Sequence, residues 1–205
     1  MDDPIESLLR FWFEPPPQSR EELARRFERW FNGGPALDAE IAERFGEIAQ
    51  RAARGELDGL RVSARGRLAL ILLLDQLPRH LHRGTAAAYA QDAKALALST
   101  EGIAEGYDRQ LAVLERGFFY MPLQHAEDLD TQELSVRMFE RLAAADDAPE
   151  LYRPGLSDML DAAREHRDVI ARFGRFPHRN AALGRADTDA EREYLRAGAM
   201  RFLGR

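Results

Sequence analysis

A chain of 205 residues, 45% of them hydrophobic, is long enough to bury about 70% of its unfolded surface around its own core. It has no cysteine, which excludes a disulfide framework, thiolate catalysis, zinc fingers and iron–sulfur clusters, and suits a reducing cytoplasm. Its net charge of −6, with both signs interspersed, excludes the basic footprint of a nucleic-acid binder, and its longest apolar run, residues 68–74, is far below the ~20 residues of a membrane span.

The chain opens acidic, "MDDPIESLLRFWF", without a basic region or a small-residue cleavage site, so this stretch reads as a first helix rather than a signal peptide. The Pro-rich "EPPPQS" at 14–19 is a connector. Ser19 with Glu22 forms a capping box ahead of Leu23, Phe27, Trp30 and Phe31, spaced by three and four, and Asn32-Gly33-Gly34 ends the pattern. Asp38 is placed to cap a helix with the stripe Ile41, Phe45, Ile48 and Ala52, closed by Gly55. Ser63 opens "SARGRLALILLLDQLPRHL", apolar on nearly every side, as a central helix surrounded by others would be.

Further along, Thr85 is placed to cap "AAAYAQDAKALAL", Asp108 a segment reaching Tyr120, and Glu127 with Asp128 a helix reaching about Ala145. Ser157 starts "DMLDAAREHRDVIARF", and Thr188 with Glu191 makes a second capping box before "REYLRAGAMRFL". No segment alternates in the two-residue period of a strand. The expected class is all-α, about nine helices in a single domain over 1–205.

Three constellations carry chemistry. In "LLLDQLPRHLHRG", Asp75 and Gln76 interrupt the most apolar helix, and a buried carboxylate there must be paired. Arg79 lies four residues on, in the favourable order for a helix pair, and Arg83 extends the row, while Pro78 should kink or end the helix. In "FFYMPLQHAEDLDTQ", Pro122 should end one helix, and Glu127 and Asp128 suit the positive end of the next. His125 stands just ahead of them, as a cap or as a presented base. In "RFGRFPHRNAALGR", Gly174, Pro177 and Arg172 are explained by a helix end, whereas Arg175, His178, Arg179 and Asn180 are not. Arg and Asn present the donor arrays that recognise carboxylate or phosphate, and equally those that lock onto Asp75, Glu127 or Asp128.

Two short motifs lead nowhere. "HRD" at 166–168 lacks the rest of a kinase signature, and "HAE" at 125–127 lacks the cysteines of a zinc deaminase. No spacing specifies a metal or a cofactor.

The three constellations, in this order and together with the early "FWF", resemble the bacterial family catalogued as domain of unknown function 924, over Phe11 to about Leu195. The sequence has Leu77 where a Phe is usual in that family and His80 where an Asn is usual. The resemblance implies an all-helical fold of tetratricopeptide-like antiparallel helix pairs, although no self-similarity at the ~34-residue period is visible. It implies no activity and no catalytic residues. Two readings of different class follow. In one, Asp75, Arg79, Arg175, His178, Arg179 and Asn180 bind a small anionic ligand, with His125 as base oriented by Glu127 or Asp128. In the other, a tetratricopeptide-like groove binds a peptide or protein, and the polar clusters only tie helix ends together.

Overall fold

The computed structural model describes residues 3–198. Helix α1, Pro4–Phe13, starts at an Asp3 cap and buries Leu8, Leu9, Trp12 and Phe13. Helix α2, Arg20–Asn32, begins at the Ser19 hydroxyl, which accepts from Glu22 N, while the Glu22 carboxylate returns to Gln18 N at 2.7 Å. Helix α3, Gly34–Ala53, starts four residues ahead of Asp38, because Pro35 is pre-organised for a first turn. Asp38 therefore lies inside the helix, where it pairs with His80 and Arg83.

Helix α4, Ala64–Ile71, opens at the expected Ser63 cap. It does not end before Pro78. Instead it widens into a π-helical turn, Leu72–Gln76, in which Leu77 N reaches back to Leu72 O, and continues as α5, Leu77–Leu81. The widening sits where an α-helix would set the proline ring against the Leu74 carbonyl, so the extra residue in the turn absorbs that conflict. The three segments form one rod, and residues 68–74 along it are all essentially unexposed.

After Thr85 a short 3₁₀ turn, Ala86–Tyr89, precedes α6, Asp92–Ala104, so Thr85 caps no α-helix. Asp108 opens only a 3₁₀ turn, Asp108–Gln110, and α7 runs over Val113–Gln124 with Pro122 inside it. Helix α8, Leu129–Ala143, is capped by Asp128. Helix α9, Arg153–Phe173, begins four residues before Ser157 because Pro154 lies in its first turn, and it ends at Gly174 with φ +67°. The 3₁₀ turn Pro177–Arg179 and α10, Asp189–Arg196, follow; the predicted last helix stops at Arg196, ahead of Gly198 with φ +62°, and its residues 199–203 lie outside the described residues. With α4, the π turn and α5 taken as one, the described residues form nine helical rods, and no strand occurs among them.

The rods pack as an all-α array. Helix α7 lies against α6 and α8, α8 against α9, and the central rod against α3, α6 and α7. Phe118 on α7 gathers the aromatic half of the core: Trp30 at 4.6 Å between ring centroids, Phe13 at 5.5 Å and Trp12 at 5.8 Å, so the early "FWF" anchors the N-terminus to the centre. Among the described residues no helix is long and apolar enough to cross a membrane.

Close approach of α6 to α7 and α4 requires Gly102, where an added Cβ would stand 2.5 Å from Phe119 Cζ and 2.6 Å from Arg67 Cδ. Both neighbours are buried and cannot move aside. Gly46 in α3 has nothing within 4 Å of the same position. Denaturant midpoints should show Gly102→Ala destabilised by ~1–3 kcal/mol, whereas Gly46→Ala should gain about 0.5–1 kcal/mol.

Candidate functional site

The π turn delivers Asp75 into the interior. Its side chain is fully buried, and three groups from two directions meet it. His125 Nδ1 lies 2.7 Å from Oδ1, Gln76 Nε2 donates to Oδ2, and Arg79 Nη2 lies 3.6 Å from Oδ1. Burial pushes this carboxyl up, but the charge and hydrogen bond of His125, the charge of Arg79 and the amide of Gln76 outweigh it and hold the group down at about 2. Asp75 is therefore an anion throughout the working range.

His125 is the C-cap of α7, and its ring is mostly covered. An ionised carboxylate only accepts, so Nδ1 must donate, and in the neutral ring the lone pair is left on Nε2. Nε2 makes no hydrogen bond among the described residues. The turn that carries the ring is clamped by Gln132, buried in α8, whose amide donates to Gln124 O at 2.8 Å and Ala126 O at 2.7 Å.

Beside this dyad two arginines converge on one carboxylate. Arg79 Nη2 reaches both Asp92 oxygens, at 2.8 and 2.9 Å, and its Nη1 donates to Ala88 O; Arg179 Nη1 reaches Asp92 Oδ2 at 3.2 Å. Both guanidinium groups lie over the Tyr89 ring, 4.6 and 4.7 Å from its centroid, and Arg179 also lies 4.5 Å from that of Phe176. Burial and the nearby Asp75 raise the Asp92 carboxyl, against the pull of Arg79 and Arg179. Arg179 is 5% exposed, and its Nε is buried without a partner.

Two further imidazoles complete the cluster. His166 on α9 donates from Nδ1 to Ala162 O at 2.7 Å, which places its lone pair on Nε2, and that atom is buried and unpartnered. Its ring lies 6.2 Å from His125 and 5.5 Å from Phe176. His178, whose ring is also 5.5 Å from that of Phe176, has a buried and unpartnered Nδ1. Burial pushes both rings down to about 3, helped by the charges of their neighbours His125 and Arg179. Both are neutral imidazoles. Among the described residues no three such side chains converge in a metal-binding arrangement.

The structure thus brings together Asp75, Arg79, His125, His178 and Arg179, and sets the other predicted residues to different tasks. Arg175 is held by Glu191, at 2.6 and 2.8 Å, and by Ala186 O. Asn180 donates to Asp187 and accepts from Arg185 Nε. Glu127 accepts two hydrogen bonds from Arg185, at 2.6 and 2.9 Å, and one from Phe176 N at 2.8 Å. Asp128 caps α8 through Thr131. Neither acid touches His125; the carboxylate that orients it is Asp75, since Glu127 and Asp128 are already committed to Arg185 and to the helix end. Sequence alone groups His166 with His125 and His178 but singles out none of Asp92, Tyr89 and Gln132. "YAQD" at 89–92, just beyond the first constellation, is the available signal for Tyr89 and Asp92, but no spacing links His166 on α9 to His125.

Removing Asp75 strands His125, Gln76 and Arg79, so Asp75→Ala should cost ~3–5 kcal/mol, against ~1 kcal/mol for loss of the cap in Asp128→Ala; urea midpoints of the two variants test this. The buried imidazoles also fix the acid limit. His166 and His178 bind a proton near 6.5 when unfolded and only near 3 when folded, so the unfolded chain holds more protons between those values and stability falls as pH falls through them. His80, also lowered by burial, acts in the same sense. The Asp75 contribution is present above about pH 4 and is lost only as pH falls toward 2. Urea midpoints should therefore decline already between about pH 6.5 and 4.5, less steeply in His166→Gln. A flat profile over that interval would show that the imidazoles titrate as if in water.

The site sits within a chain that matches, over residues 8–199, a family described as bacterial protein of unknown function, DUF924. No curated protein matches. A solved structure, that of the protein of unknown function ATU0120 from Agrobacterium tumefaciens, is similar at 38% identity with a TM-score of 0.77, covering 95% of this chain and 97% of that one. The family match takes in the π turn, the His125 turn and the arginine-rich segment alike, and the chain belongs to the DUF924 family.

Proposed function

We propose that the cluster around Asp75 and His125 binds a small anionic ligand, a carboxylated or phosphorylated metabolite, with Arg79 and Arg179 facing its charge and His125 Nε2 accepting a proton from it. The observation that carries this reading is the use of a fully buried carboxylate to orient a ring whose second nitrogen is unbonded. Buried polar atoms in folded proteins are paired in about nine cases of ten. Here the unpartnered nitrogens of Arg179, His166 and His178 gather around one phenyl ring, that of Phe176. Fixed donors, neutral imidazoles and an oriented base are the parts that general-base chemistry on an anion needs. Asp92 neutralises the two arginines in the free protein and is the group an incoming carboxylate or phosphate would compete with.

The test is a thermal-shift screen of phosphorylated and carboxylated metabolites. A ligand at 100 times its dissociation constant stabilises the fold by ~2.7 kcal/mol, which for a chain of this size raises Tm by ~5–11 °C. Arg179→Gln and His125→Gln should abolish the shift, and Arg175→Ala, whose side chain serves Glu191, should retain it. Absence of any hit, with Arg179→Gln melting well below the parent, would leave the cluster as a lock between helix ends and favour the tetratricopeptide-like peptide scaffold.

A further inference from the structure

The two arginines that face the ligand in this reading are already occupied. Arg79 Nη2 holds both oxygens of Asp92 and Arg179 Nη1 holds one of them, so the Asp92 carboxylate stands where a ligand's own anion would have to stand. Solvent reaches this side of the cluster: the Arg79 and Asp92 side chains are 23% and 19% exposed, whereas Asp75 is closed off. Asp92 is the first residue of α6 and does not cap it, so among the described residues its side chain serves the arginines and nothing else.

The charges around Asp92 balance in the free protein. Asp75 and Arg79 face it from the central rod, His125 from the end of α7, and Arg179 from the 3₁₀ turn Pro177–Arg179, with the Tyr89 ring under both arginines. On its own helix, Lys94 is taken by Asp58 at 2.8 Å. His166 and His178 are neutral. With His125 neutral, as a base must be, two carboxylates face two guanidinium groups. An anion that displaced Asp92 would leave three negative charges for two positive ones, in a site where an unpaired charge is costly. Protonation of the displaced Asp92 removes the excess, and its surroundings favour that direction, since burial and Asp75 raise this carboxyl. The cluster then carries one positive charge. A singly charged anion cancels it, whereas a phosphate monoester brings nearly two charges at neutral pH and restores the excess.

We propose that the site takes up a singly charged anion, a monocarboxylate or a phosphodiester, together with one proton that goes to Asp92. The step is an exchange of partners. The anion replaces the Asp92 carboxylate on Arg79 and Arg179, and a proton from solvent neutralises the carboxylate that is released. Asp92 is thus a built-in competitor, which selects the ligand by its charge and makes binding weaken as pH rises. This inference rests on the anion-binding reading above and narrows its ligand class.

Chemical-shift titration of the full chain with formate, dimethyl phosphate and methyl phosphate tests the inference, because NMR follows the weak binding of such small probes. Formate is ionised throughout the range used, so any pH dependence belongs to the protein. Its dissociation constant should rise by about tenfold or more between about pH 5.5 and 7.5 in the parent. In Asp92→Asn, which keeps an oxygen for both arginines, the rise should fall to about threefold or less, and at the upper pH formate should bind at least about tenfold tighter than to the parent. The imidazoles are the same in both proteins, so the difference belongs to Asp92. At that pH methyl phosphate, close to doubly charged, should bind the parent about tenfold or more weaker than dimethyl phosphate, which carries one charge. Binding of formate to Asp92→Asn alone would also support the inference, Asp92 then closing the site of the parent. The inference is overturned, with the anion site left standing, if formate binds the parent equally well across the range, if Asp92→Asn binds it no more tightly, or if methyl phosphate matches dimethyl phosphate. If no probe binds either protein, the anion-binding reading itself falls. The parent's pH profile needs no variant and decides the matter even if Asp92→Asn folds poorly.

Discussion

A single ionised carboxylate in the most apolar helix of the chain sets the terms for everything around it. Asp75 has no access to water, and an unpaired charge there would cost several kcal/mol. It is met by Gln76 and Arg79 from its own rod and by His125 from the end of α7, so the carboxylate fixes how the central rod and α7 are set against each other. The π turn is part of the same solution. It lets a proline-bearing helix run on rather than break, so Asp75 and Arg79 stay on one continuous rod with their partners in reach.

From that point the electrostatics divide. Asp75 is held ionised while Asp92, the other acid of the cluster, is pushed up by burial and by Asp75 itself. Arg79 touches both, and its shorter contacts are to Asp92. His166 and His178 have no carboxylate partner and stay neutral, whereas Nδ1 of His125 lies on the Asp75 carboxylate.

Much of this could be read from the sequence wherever the cause was local. The Ser19, Ser63, Asp128 and Thr188 caps, the Gly174 terminator and the buried rod depend on residues within four or five positions of one another, and their spacing specifies them. The misplaced starts share a mechanism. At α3 and α9 a proline in the first turn began the helix four residues ahead of the polar residue chosen as its cap. Pro78 is expected to kink or end its helix and Pro122 to end its own, yet a π turn carries the central rod past Pro78 and α7 runs through Pro122 to Gln124. In the site, the clustering of the three constellations was legible as a crowding of polar groups at helix ends, but pairings such as His125 with Asp75, 50 positions apart, are set by packing and have no sequence period.

The concentration of arginine in 172–185 of an acidic protein resolves into two jobs divided along that segment. Arg175 and Arg185 each make bidentate contacts with a carboxylate from a neighbouring element, Glu191 and Glu127, and Arg185 also holds Asn180 and the Phe176 carbonyl. Those bonds fix the backbone on both sides of the 3₁₀ turn Pro177–Arg179. His178 and Arg179 are thereby carried into the cluster, with Phe176, unexposed, 5.5 Å from the rings of both His166 and His178. A guanidinium cannot lose its proton and presents a planar fork, so it suits both the outer clamps, which must hold at any pH, and the inner Arg179, stacked on two aromatic faces. Lysine in the inner position would have neither the plane to stack nor a fixed charge once buried. The outer arginines thus hold in place the segment that buries the inner one against Asp92 and the Tyr89 and Phe176 rings.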